Sequence, residues 1–217
     1  PSFAVGRTQD VLFLLSQLKR QSQIPQIPIF LDTPMGINAT EIFGNYPEWH
    51  RLSSEEARDL CKSVTLVQSA QQSEELQHRH DSSIVIAGSG MLTGGRVLAH
   101  LMSRLPSERN TVLLVGYQAP STRGSLLRNG LSEIKIYGQY VQVRAQIREL
   151  SSLSAHSDQG EIIRWLRNFS SPPTKAFIVH GEPQAAEALR VRAHDALNWN
   201  CVVPRRNEII DLVPNRT

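Results

Sequence analysis

Between residues 8 and 20, apolar side chains return every three or four positions: Val11, Leu12, Leu14, Leu15 and Leu18 share one face. That spacing predicts an amphipathic helix, with Thr8 as its cap. A solid apolar run at 27–31 then reads as a buried strand, broken by Thr33-Pro34-Met35-Gly36. Residues 39–43 begin another helix. Ser53 and Ser54 ahead of Glu55 and Glu56 carry a helix-start signature. A short strand is expected at 64–67 and a polar helix at 71–80.

From residue 83 the pattern becomes regular. Strand-like runs at 83–87, 111–115, 176–179 and 201–203 alternate with helical patterns at 96–105, 160–169 and 184–198. Residues 131–150 alternate apolar and polar positions around a turn near Gly138, the mark of a hairpin or meander. Strands alternating with helices predict an α/β fold with a largely parallel sheet. No repeats, low-complexity tracts or linkers interrupt the chain.

At 217 residues, 40% hydrophobic and 20% charged, the composition is that of a globular protein able to bury a core. No apolar run approaches the ~20 residues a membrane span needs, so no membrane partner is expected. Cys61 and Cys201 show no metal-binding spacing and read as free thiols of a reducing compartment. Net charge is only +3, but it is unevenly spread. Residues 41–81 carry a net −4. Residues 82–148 carry a net +6, seven of their eight bases being Arg. An Arg-rich basic block suits phosphate contact.

Three strand-end segments carry candidate chemistry. Gly88-Ser89-Gly90-Met91-Leu92-Thr93-Gly94-Gly95 follows a strand and opens a helix, where backbone N–H groups can approach an anion. It is neither a dinucleotide fingerprint, since the third glycine comes one place late, nor a Walker loop, since no Lys follows. Gly116-Tyr117-Gln118 with Thr122-Arg123-Gly124 offers backbone donors, an aromatic ring and a guanidinium. Ser154-Ala155-His156-Ser157-Asp158 and Val179-His180-Gly181-Glu182 set two histidines 24 residues apart, each ahead of a predicted helix. By contrast, His78-Arg79-His80-Asp81 reads as a solvated helix end, and His50, His100 and His194 as surface or packing residues. Asp32, at the end of an apolar run, reads as structural.

Taken with Pro1-Ser2-Phe3-Ala4-Val5-Gly6-Arg7 and Leu31-Asp32-Thr33-Pro34-Met35, these segments resemble the β-CASP branch of the metallo-β-lactamase superfamily, the zinc-dependent RNA-processing nucleases of bacterial and archaeal type. The resemblance implies a lactamase segment at 1–7, a β-CASP domain of parallel-sheet βα units at 8–130, and the C-terminal part of a metallo-β-lactamase αββα fold at 131–217. It implies that His180 ligates zinc and that His156 acts catalytically at the scissile phosphate. Ser89, Gly90, Arg123 and Gly124 would contact the RNA backbone. Two zinc ions in the parent protein would supply a hydroxide and clamp phosphate oxygens. The family's His-x-His-x-Asp-His run is absent from the chain and expected before Pro1, so residues 1–217 alone are expected to be inactive and to bind zinc incompletely. RNA is the expected partner, a homodimer is compatible with the resemblance, and a cytoplasmic location is expected. Two other function classes stay open. One is a non-catalytic RNA-binding or scaffolding subunit, and the other is a small-molecule hydrolase, which would have no need of the long insert.

Overall fold

The computed structural model describes residues 1–212. They form two compact units, Pro1–Ser154 and a second from Ala155 onward.

The first unit opens with α1 (Arg7–Arg20), whose N-cap is Gly6 and not Thr8. Thr8 is buried inside the first turn and its hydroxyl donates to Phe3 O, 2.8 Å away. β1 (Ile29–Asp32) follows. Residues 33–36 do end the strand, but they also begin α2 (Pro34–Asn45). Thr33 caps it and Pro34 occupies the first turn, where its missing N–H is no loss. A 3-10 turn at Pro47–Trp49 leads to α3 (Ser54–Lys62), whose Ser53 and Glu56 close the expected capping box. Then come β2 (Thr65–Leu66), α4 (Ala70–Gln77), β3 (Ile84–Ala87), α5 (Val97–Arg104) and β4 (Thr111–Leu114).

β1 is the centre of a parallel sheet of order β2-β1-β3, with Phe30 opposite Thr65 and Asp32 opposite Ala87. Ile29 and Leu31 are buried and the Arg79 guanidinium lies over the half-buried Phe30 ring, so residues 29–31 show no polar alternation. Leu12, Ile37 and Leu60 from the first three helices pack on Ile29, Leu31 and Ile86.

Residues 122–124, expected as loop, begin the short α6 (Arg123–Arg128) with Thr122 as its cap. β5 (Glu133–Ile136) and β6 (Gln139–Gln142) form the expected hairpin around Tyr137 and Gly138. The pattern does not continue as a meander. β7 (Gln146–Glu149) leaves the hairpin and pairs in parallel with β4, Thr111 opposite Gln146. Ile134, Ile136, Val141 and Ala145 share a second core with Leu98, Leu101, Leu105 and Leu114.

The second unit has α7 (Gln159–Leu166), β8 (Ala176–Phe177), α8 (Pro183–Leu197) and β9 (Cys201–Val202). β8 and β9 pair in parallel. Ile163, Ala193, Trp199 and Cys201 are its core. The α/β class with mainly parallel strands is as the sequence predicts.

Candidate functional site

The glycine-rich loop after β3 is held mostly by itself. Ser89 Oγ accepts from the amides of Thr93 (3.0 Å) and Gly94 (3.3 Å), and Ser89 N donates to Gly94 O (3.1 Å). Val97 N, at the start of α5, donates back to Gly88 O. Several of the N–H groups that an anion would meet are therefore spent on the loop's own shape.

Gln118 joins this loop to the one after β4. It is fully buried, and its Nε2 donates to both Gly90 O and Gly116 O at 2.9 Å. The side chain lies across Gly124 so closely that a Cβ there would fall 1.6 Å from Gln118 Oε1. Gly124 is thus glycine because an amide occupies the space. Gly90 is glycine because the Phe3 ring does, 2.7 Å from where a Cβ would sit.

Arg123 ties together three segments: its Nε donates to Lys135 O on β5 (2.7 Å) and its Nη1 to Leu92 O in the glycine loop (3.3 Å). Ser89, Gly90, Arg123 and Gly124 therefore do converge, in one constellation at the C-terminal ends of β3 and β4. Ligands of α/β sheets bind at such ends.

Under this constellation lies an ionic network that the sequence did not announce. Asp32 has no exposed surface. Its Oδ2 accepts from His100 Nε2 (2.7 Å) and Ser73 Oγ (2.6 Å), and its Oδ1 from Arg96 Nη1 (2.8 Å). Burial on its own would raise the Asp32 pKa. The hydrogen bonds from His100, Ser73 and Arg96 outweigh it and hold the carboxyl below its ordinary value. Arg96 also donates to Val67 O at 2.9 Å. Because Arg96 is the residue between the loop and α5, Asp32 anchors the loop's far end. The trio is not a nucleophilic triad, for Ser73 bonds the carboxylate and not the imidazole. His100 is a packing residue, as expected, but a polar one. The only signal for the network was a carboxylate closing an apolar strand, which burial obliges to find partners.

In the second unit, Asp158 caps α7, its Oδ1 accepting from Glu161 N at 2.7 Å. This fixes the backbone just after His156, which is exposed. His180 is also exposed and has φ +65°, in the left-handed region. It lies between β8 and α8, whose N-cap is Glu182. A non-glycine residue there carries about 1–2 kcal/mol of strain. Among the described residues, no three His, Cys, Asp or Glu side chains come together as a metal site. The donor set of a zinc centre is thus not met by the described residues alone.

Known proteins bear on this arrangement. The Beta-Casp domain model matches residues 8–127, more than half the chain. The chain belongs to the β-CASP family. A model of the Zn-dependent metallo-hydrolase RNA specificity domain matches residues 140–204 of this β-CASP chain, including both His156 and His180. Over 198 residues it is 32% identical to a ribonuclease of Thermus thermophilus, covering 87% of this chain and 44% of that protein. Over 224 residues it is 28% identical to a transcription termination factor of Pyrococcus horikoshii, covering 98% and 34%. An RNase J-like protein of Methanocaldococcus jannaschii is 27% identical over 213 residues, covering 98% and 49%. The chain spans less than half the length of these curated relatives. None of its described helices is long and apolar enough to cross a membrane.

Proposed function

We propose that this β-CASP chain is the RNA-facing part of a zinc-dependent ribonuclease that hydrolyses phosphodiester bonds in a cleft between lactamase and β-CASP domains. The observation that carries the reading is His180, an exposed imidazole held in left-handed backbone between a strand and a helix. Strain of this kind persists where surrounding structure imposes it, and it clusters at functional sites. In this reading His180 gives one ligand to a zinc centre whose other ligands are not in this chain. His156 holds the scissile phosphate or moves a proton to the leaving oxygen. Ser89, Gly90, Arg123 and Gly124 line the RNA backbone. Gly90 and Gly124 do so by letting Phe3 and Gln118 draw the two loops together.

The test is zinc analysis and RNA cleavage on the full-length parent protein, with His156→Ala and His180→Ala. His180→Ala should lose bound zinc and activity together. His156→Ala should keep its zinc and lose about 10²–10⁴-fold in kcat, the worth of a positioned proton-transfer group. Full zinc and full cleavage in His180→Ala would overturn the proposal.

A further inference from the structure

The outer face of the β5–β6 hairpin has no part in the site described above. Its inner face is core: Ile134, Ile136 and Val141 are buried. Its outer face carries Lys135 directly opposite Tyr140, and Glu133 opposite Gln142. The Lys135 ammonium sits 5.6 Å from the centre of the Tyr140 ring, a cation–π contact. Tyr140 is 68% exposed and Tyr137, at the turn, 63%.

Tyr137 is a local misfit. Tyr137 and Gly138 both have positive φ, +47° and +82°, the signature of a type I′ turn. The first position of that turn favours Asn, Asp or Gly. A tyrosine there accepts strain and buries little in return. Local sequence and local structure disagree where the side chain is most exposed, which points to use by a ligand.

We infer that this hairpin face is a stacking platform for single-stranded RNA that continues the strand-end loops. Three observations fix the occupant. Aromatic rings beside a cation form the platform on which unpaired bases stack. The face carries one cation, Lys135, and one acid, Glu133, whose carboxylate accepts from Gln142 Nε2 at 2.9 Å, so the ammonium is its exposed charge beside the ring. Arg123 bonds both Leu92 O of the glycine loop and Lys135 O of β5, so the platform begins one guanidinium away from the proposed backbone contacts. The inference rests on the RNA reading above and adds to it where the bases lie.

The test is fluorescence anisotropy of a short labelled oligoadenylate with the full-length parent protein. Tyr140→Ala and Tyr137→Asn should each weaken binding about 5- to 150-fold, the range for one lost base stack. Tyr140→Trp should keep it. Tyr137→Asn should unfold at the same temperature as the parent or higher, because Asn suits the turn, so its lost affinity is not a folding defect. A duplex of the same length should show none of these losses. If the parent binds the oligonucleotide and both variants bind it equally well, the platform is refuted and the RNA reading stands. If the variants change self-association and leave RNA affinity alone, the face is a protein interface and the inference is wrong. If the parent binds no single-stranded RNA, the RNA reading falls and the platform with it.

Discussion

Replacing Asp32 by Asn changes one atom and leaves the shape of the side chain. It should nevertheless be among the most damaging substitutions in the first unit. The carboxylate has no exposure and accepts from His100, Ser73 and Arg96 at 2.6–2.8 Å. An amide offers one oxygen, so whichever way it turns, an –NH2 faces at least one of these donors. Removing one member of a buried charged pair costs about 3–5 kcal/mol, because the partner is left uncompensated. For a domain of this size that lowers the melting temperature by about 6–20 °C. Hydrogen exchange at the amides of β1 and β3 is the suitable assay, since a chain of two units need not unfold in one step. The pH dependence has a definite sign. The folded pKa of Asp32 is lowered, so its stabilisation is complete above the unfolded value of about 3.9 and is lost as pH falls through the folded value. The gap between parent and variant should be constant from pH 7 to about 5 and close below about 4. A variant whose β1 and β3 amides open at a cost within about 1 kcal/mol of the parent's at pH 7, or a gap that widens in acid, would refute the account.

Two further substitutions probe the loops and the strained histidine. Gly124→Ala should cost about 1–3 kcal/mol by overpacking against Gln118, and clearly less in a Gln118→Ala background; urea unfolding of the four proteins in that cycle measures the coupling. His180→Gly should stabilise the second unit by about 1 kcal/mol by relieving its left-handed φ, read from the fluorescence of Trp165 and Trp199 during melting; a loss of stability would mean that His180 supports the fold.

The elements with strong periodicity were legible. α1, α5, α7 and α8 follow their apolar spacing, and β1, β3 and β4 their solid apolar runs. Elsewhere a local signal is outweighed or ambiguous. Thr8 is a good capping residue, yet its hydroxyl serves Phe3 O while Gly6 takes the cap. Thr33-Pro34 was a break for the strand and equally a start for α2. α6 has six residues and begins Arg-Gly-Ser, too short and polar to show a period. At the site, the glycine loop and the loop after β4 were recognisable one by one. That Gln118 binds them, that Arg123 bridges to the hairpin, and that Asp32 gathers residues 41, 64 and 68 positions away were not, because no spacing along the chain encodes such meetings.

The pairing of β7 with β4 sets an order of events during synthesis. Leu98, Leu101, Leu105 and Leu114 cannot close their core until Ile134, Ile136, Val141 and Ala145 have been made, and β4 has no partner until residues 146–149 emerge. A nascent chain stalled near residue 127, where the Beta-Casp match ends, would hold an unpaired strand and an open apolar face. Chains in that state aggregate or recruit chaperones. The boundary drawn by sequence family and the boundary at which the second core of the first unit can close are therefore more than twenty residues apart, and in ribosome-bound intermediates residues 97–114 should become protease-resistant only past the second.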